Sequence, residues 1–445
     1  MGINMHSRFF ATTALTALLA ACGGGGDSPL PPEPPTNLNP PPAQPEPAKP
    51  LPKPVPNALT VMAGSANFAD KACANSPRVP LPEEPVGWNA VRFHSVERLY
   101  SSDGNLYFIT DGGVEQCAQL PHPISLAHRM DANGLVHAFM LDRMPDTGNR
   151  YPSNRISGFF FQGREVYGIT IGQTNADKGY ALADGYGKRY FDYQLHGPLL
   201  LQFPRSAKNP LNPAPPLHYP RITGLPNSQN ASPPLADDAL IPFDAIDGPP
   251  GQARFYAPHS LVTGGDGVQY FVDKGQVRSI DGHLHVRTLT LPSMAEGDVA
   301  LDLDVDAQGQ VHLISQNAAG AYAWHQLASG QRRDFRIEGY GLPHISMAVR
   351  AGAQGQTLAL AVRDDALPEK WSSVYRVDWA ANPAGAATGS APPRLLLGGA
   401  ELPATAQDYL QAPSRYRLPN VRDVHFVGQT LWLSVAQAVL AMELE

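Results

Sequence analysis

Histidine recurs in this chain at one kind of place, directly before a run of strand-forming residues: Phe93-His94-Ser95-Val96, Pro121-His122-Pro123-Ile124, Pro258-His259-Ser260-Leu261 and Pro343-His344-Ile345-Ser346. Neutral imidazoles brought to one point bind Zn²⁺ or a similar borderline cation, and three protein nitrogens with an open fourth position make a catalytic zinc. The same placement also serves a structural end, the ring nitrogen capping backbone groups where a strand begins, and spacing alone leaves both readings open. A second cluster, Leu301-Asp302-Leu303-Asp304-Val305-Asp306, alternates apolar and acidic residues and so sets three carboxylates on one face of a strand. Enclosed together they repel one another unless protonated or met by a cation such as Ca²⁺. The alternative puts Asp302 near a channel mouth, Asp306 in a turn and only Asp304 inside. No Gly-x-Ser-x-Gly elbow, Walker-type loop or His-Glu-x-x-His helix is present, so hydrolase, nucleotide and metalloprotease readings lose support.

The elements that must position these residues are short strands joined by Asx-Gly or Gly-rich turns. Val96 to Tyr100 turns through Asp103-Gly104 into Leu106 to Asp111, and Ile124 to Met130 turns through Asp131 to Gly134 into Leu135 to Asp142. Ser260 to Thr263 with Val268 to Asp273, Leu301 to Asp306 with Val311 to Ser315, Ile345 to Arg350 with Thr357 to Val362, and Val421 to Val427 with Leu431 to Val435 repeat the unit. Repetition of such hairpins at about 40 residues predicts an all-β chain, a β-propeller in which radial blades bury their faces on one another. Leu59 to Gly64 reads as a lone outermost strand and Val421 to Glu445 as three strands without a fourth, so the N-terminal strand is expected to complete the last blade and remove two open edges. Strand counting gives six blades with the Ser157 to Gly172 hairpin in the second blade and seven without it; six is taken.

The repeat resembles the NHL family, on Val61-Met62-Ala63-Gly64, Gly104 to Asp111, Ala253-Arg254-Phe255-Tyr256-Ala257-Pro258, Tyr270 to Asp273 and Val277 to Ile280. Phe255 to Leu261 is also similar to the peptidyl-hydroxyglycine lyase branch of those propellers. That resemblance implies His122, His259 and His344 as metal ligands, with His94 lacking the preceding proline, and Asp184-Gly185-Tyr186 brings in Tyr186 as a base. The branch's catalytic arginine has no counterpart that the sequence identifies.

Residues 1–21, a short apolar segment behind Arg8 ending in Leu19-Ala20-Ala21, read as an export signal, and the small-small-Cys ending resembles the lipobox of bacterial lipoproteins, which implies lipidation of Cys22. Gly23 rather than Asp after the cysteine favours the outer membrane, with the body in the periplasm or at the cell surface. Residues 22–56 form a Gly/Pro-rich tether, with 14 prolines between Pro29 and Pro56, and residues 57–445 the propeller, interrupted by a Pro-rich insertion near 203–250. Of the 3 cysteines, Cys73 and Cys117 remain for one disulfide in an oxidising compartment. A formal charge of -7 without basic runs disfavours nucleic acid. The expected partners are the membrane, through the lipid, and a protein, peptide or glycan ligand; closed edges make a monomer the default. The channel histidines keep a metal-dependent lyase or lactonase, with Zn or Ca, as the alternative.

Overall fold

The computed structural model describes residues 50–66, 85–93, 95–102, 104–111, 125–141, 155–162, 165–171, 199–203, 221–224, 245–339, 343–352, 355–364, 370–380, 392–435 and 437–444. Its hairpins follow from turn chemistry. Asp131 Oδ1 accepts the amides of Asn133 and Leu135 at 2.9 and 3.0 Å, and Gly134, at φ +77, supplies the left-handed residue. Asp306 accepts from Gln308 and Gln310 in the same way, as do Asp281 and Asn317 at their turns. A histidine on the following strand reinforces two of these turns, His137 at 3.2 Å from Asp131 and His312 at 3.1 Å from Asp306.

The described strands join into six hydrogen-bonded sheets. The first strand, β1 (Thr60–Gly64), belongs to the last of them. The first sheet holds β2 (Val86–Gly87), β3 (Ser95–Ser102), β4 (Asn105–Asp111), β5 (Ser125–Met130) and β6 (Leu135–Leu141), with β3 innermost. The second runs outward through β7 (Arg155–Gln162), β8 (Glu165–Ile171), β9 (Leu199–Phe203) and β10 (Arg221–Gly224). The third holds β11 (His259–Thr263), β12 (Gln269–Asp273), β13 (Gln276–Ile280) and β14 (Val286–Thr288), and the fourth β15 (Val299–Val305), β16 (Val311–Gln316), β17 (Tyr322–Gln326) and β18 (Gln331–Phe335). The fifth comprises β19 (Pro343–Gly352), β20 (Gly355–Asp364), β21 (Trp371–Ala380) and β22 (Arg394–Leu397), with β23 (Leu418–Pro419) on the start of β21. β24 (Val421–Val427), β25 (Thr430–Val435) and β26 (Ala438–Glu443) make the sixth, which β1 completes by pairing antiparallel with β26.

Each sheet packs on the next and the sixth returns to the first, so the chain is an all-β propeller with its core divided among the interfaces. Phe93, Val96 and Phe108 meet Met62 and Val439 between the last sheet and the first. Tyr100 and Tyr107 against Phe159 join the first to the second. Trp324, fully buried, fills the gap between the fourth and fifth with Ile345, Leu358 and Val377. The short helix α1 (Ala406–Gln411), begun by a Thr405/Asp408 capping box, ties the closing strand down. Its Tyr409 hydroxyl donates to the Ala66 carbonyl at 2.5 Å, and the Leu59 amide donates to Leu410 O at 2.8 Å.

Three features differ from the expectations above. The β5–β6 hairpin, which turns at Asp131 to Gly134, occupies the third and fourth places outward, so the strand that follows Pro121-His122 in sequence is not an inner one. The span 203–250 is not all insertion, because Arg221–Gly224 forms the outer strand of the second sheet. The end of the proline tract lies on the ring, where Leu51 packs beside Trp88, Val55 bridges Ala58 and Pro56 bridges Glu443. Residues 1–49, including Cys22, and Cys73 and Cys117 lie outside the described residues. No described helix is long and apolar enough to cross a membrane.

Closure depends on Gly64, whose φ is +84 and whose Cβ position lies 2.2 Å from Gln437 O. Gly64→Ala is expected to lower unfolding free energy by about 2–4 kcal/mol, from left-handed strain and backbone displacement together, as read by denaturant titration.

Candidate functional site

Five of the inner strands carry a bulge near their entry ends, at Val96/Arg98, Ile156/Gly158, His259/Val262, Ala300/Asp302 and Val421/Asp423; β19 pairs without one. A bulge shifts which residues face the axis. The residue following it forms a column around the ring in four of them, Arg98, Gly158, Asp302 and Asp423, joined by Ser260 inside the wider bulge of β11 and Ser346 in β19.

At three sheet junctions this column uses one rule, in which its side chain accepts the amide that follows the equivalent residue in the next sheet. Asp302 Oδ2 accepts the Met347 amide at 2.7 Å, Ser346 Oγ accepts that of Val424 at 3.2 Å, and Asp423 Oδ2 accepts that of Leu99 at 2.7 Å. Arg98 then ties the column together. Its Nη2 donates to Asp302 Oδ1 at 2.7 Å, reaching from the first sheet to the fourth, and its Nη1 donates to Asp423 Oδ1 at 3.2 Å. Ser346 Oγ–H donates to Asp423 Oδ1 at 2.5 Å, and Ser260 bonds to Asp302. Gly158 is the position where no side chain fits, since a Cβ there would lie 2.6 Å from Leu261 Cβ.

The electrostatics follow from one guanidinium between two enclosed carboxylates. Burial works to lower the pKa of Arg98, and Asp302 and Asp423 more than reverse it, so it stays charged. For Asp302, burial is outweighed by Arg98 and by its hydrogen bonds, and its pKa falls below the ordinary carboxylate value. Asp423 goes the other way, pushed up to about 6 by burial, with Arg98 opposing and the charge of Asp302 adding. Burial also pushes the Tyr100 hydroxyl up.

Asp304 is likewise used within the ring. It accepts the Val349 amide at 2.7 Å and stands 3.7 Å from His425 Nδ1, whose Nε2 meets Ser101 Oγ at 2.8 Å. Asp306 is spent on its turn, His312 and Gln356. Asp302 and Asp304 of β15, and Asp306 in the turn after it, therefore face the neighbouring strand β19 and its hairpin. Asp302 is fully buried, not near a mouth.

On the entry side of the column stand Glu97 and Arg422, in a two-oxygen ion pair, with His344, whose Nε2–H donates to the Arg422 carbonyl at 3.2 Å. His259 keeps solvent-accessible surface yet is enclosed by the ring, and that enclosure lowers its pKa to about 4, Asp302 opposing and Arg98 and His344 adding. His259 and His344 are thus electrostatic neighbours. Their backbones are not at equivalent places, because β11 is bulged after His259 and β19 is not. Among the described residues, no group of three or more His, Cys, Asp or Glu is arranged to hold a metal. His94, His122 and Tyr186 lie outside them. Sequence reasoning missed Arg98, Ser346 and Asp423: the first and last are set in the column by bulges that the sequence does not announce, and Ser346 sits in a strand without one.

No family model matches the chain, and no curated protein matches it. Among solved structures, a Bacteroides thetaiotaomicron protein of unknown function is similar over 87% of this chain and 76% of its own, at 9% identity and a TM-score of 0.46. An auxiliary nutrient binding protein from the same organism is similar over the same shares, at 6% identity and a TM-score of 0.44. Virginiamycin B lyase from Staphylococcus aureus is similar over 79% of this chain and 96% of its own, at 11% identity and a TM-score of 0.36. At this distance the likeness speaks to neither activity nor ligand.

Two outcomes follow for the hub. Arg98→Met leaves two buried carboxylates without their cation and is expected to cost about 3–5 kcal/mol in chemical unfolding. Because the native state holds the Asp423 proton more tightly than the unfolded chain does, wild type should lose stability relative to Asp423→Asn as pH rises from about 4 through about 6. Neutral His128, lowered to about 3 by burial, and His259 and His325, lowered to about 4, act in the opposite sense. Their contribution is complete above about 6.5 and is lost as pH falls toward 4.

Proposed function

We propose that this chain is a lipid-anchored cell-envelope β-propeller acting as a binding or interaction module for a protein, peptide or glycan partner. In this reading Cys22 carries the lipid at the outer membrane, the proline tract spaces the body from it, Cys73 and Cys117 form a disulfide, and each of the six sheets is one blade. The observation that carries it is the committed centre. Arg98, Asp302 and Asp423 are bonded to one another and to the ring's own amides, so the axis is a lock and recognition falls to the groups around its entry. Those groups are varied: the accessible imidazole of His259, the Glu97–Arg422 pair, and Tyr256 and Val299 at 39% and 48% exposure. Aromatic and apolar surface beside polar groups suits a ligand held by partial burial and oriented by hydrogen bonds.

The second reading, a metal-dependent lyase or lactonase, is favoured by the proximity of His259 and His344. Two imidazoles are an incomplete zinc donor set, and the His344 Nε2–H bond leaves Nδ1 as the atom that would have to ligate. His122, His94 or Tyr186 would have to supply the rest.

Residues 47–445, which cluster as one compact unit, are the form to test, beside a His259→Ala/Arg422→Ala variant, on peptide and glycan arrays and by elemental analysis. The binding reading expects a bound peptide or glycan that the variant holds about tenfold more weakly or worse, and no stoichiometric zinc. One zinc per chain, lost in the variant, together with blank arrays, would replace it with the enzyme reading.

A further inference from the structure

Away from the axis, a cleft of about 300 Å³ opens where the outer strands of the fifth sheet meet the segment leaving β18. That volume stands at the lower end of ordinary ligand sites, about 300–1,000 Å³. Trp371, Ser373 and Tyr375 line it from alternate positions of β21, so they share one strand face, and all three are half-buried. Glu338 and Asp364 bring two carboxylates and Arg417 a guanidinium. The wall also takes in Leu395 and the backbone at Gly398 and Gly399, where a Cβ would lie 2.4 Å from Ser372 O and 2.2 Å from Arg415 O. Ser373 Oγ–H is spent on Gly398 O at 2.7 Å, which fixes that hydroxyl as an acceptor toward any occupant.

The lining narrows the chemistry. Two carboxylates repel an anion, the guanidinium repels a compact cation, and a wholly apolar occupant would use none of the three charged groups. A ring with hydroxyls on its rim and C–H groups on its faces satisfies every wall: hydroxyls donate to Glu338, Asp364 and Ser373 and accept from Arg417, while a C–H face covers an aromatic ring. We propose that the cleft between the fifth sheet and the β18 exit is a carbohydrate site that seats one neutral pyranose, with Trp371 or Tyr375 as its stacking platform. The site is separate from the channel entry, so the two stand or fall independently.

The test is calorimetric titration of residues 47–445 with neutral probes, namely cellohexaose, xylohexaose, mannohexaose, maltohexaose and glucose, with oligogalacturonate as the anionic control. At least one neutral probe should bind, and Trp371→Ala or Tyr375→Ala should weaken it by about tenfold or more. The His259→Ala/Arg422→Ala variant should bind it unchanged. Leu395→Arg changes a lining residue that is 46% exposed and so leaves the core intact; it should weaken the same probe even if the aromatic variants fold poorly. Glucose binding beside the hexasaccharides marks a site for free sugar, and hexasaccharide binding alone marks a polymer. Failure of every neutral probe, binding of oligogalacturonate instead, or binding that survives Tyr375→Ala and Leu395→Arg overturns the proposal.

Discussion

Every inner strand of a ring of sheets turns a row of backbone N–H groups toward the axis, away from its own ladder, and buried donors must be met. Here side chains of the adjacent sheet meet them. Asp302 and Asp304 take the amides of Met347 and Val349, Ser346 takes that of Val424, and Asp423 takes that of Leu99. The acceptors that suit the amides are carboxylates, and enclosing carboxylates demands a cation. Arg98 is that cation, and by reaching from the first sheet to the fourth it makes a local solution into a cross-brace for the whole ring.

The balance is one positive charge against two negative, and the strain of that excess shows at Asp423, which burial and Asp302 push up to about 6 while Asp302 is held below the ordinary carboxylate range. Beside them, His259 is kept neutral by enclosure. Other histidines brace turns, as His137 and His312 do, or bond across strands, as His128 does to Thr110 and His325 to Ser315. Among the described residues, histidine serves largely as a hydrogen-bonding residue of the sheets and their turns. At the entry surface and in the outer cleft, aromatic and charged groups keep accessible surface beside this braced ring.

Much of the fold was legible because its signals are local. Asp131-Ala132-Asn133-Gly134 or Asp306 to Gly309 declares a turn whatever surrounds it, and the unpaired strand at Leu59 to Gly64 called for a partner at the other terminus. The site was less legible because it is made by register. A bulge at Val96/Arg98 or Val421/Asp423 leaves no compositional mark, yet it decides that Arg98 and Asp423 face the axis. The same locality misled in one place. An Asx-Gly turn serves the third and fourth strands of a sheet as readily as the first and second, so Pro121-His122 resembled Pro258-His259 without leading to an inner strand. The alternating acids of β15 were correctly placed on one face, but their partners are amides and Arg98, which no spacing within that strand announces.

The central claim, that side chains of one sheet complete the inner-edge amides of the next, is tested most directly by residue-resolved hydrogen exchange. The amides of Leu99, Met347, Val349 and Val424 should exchange as slowly as ladder amides of β20 and β25, opening only with the ring. Exchange of these four amides at rates typical of exposed turns, with the ladders still protected, would contradict the account.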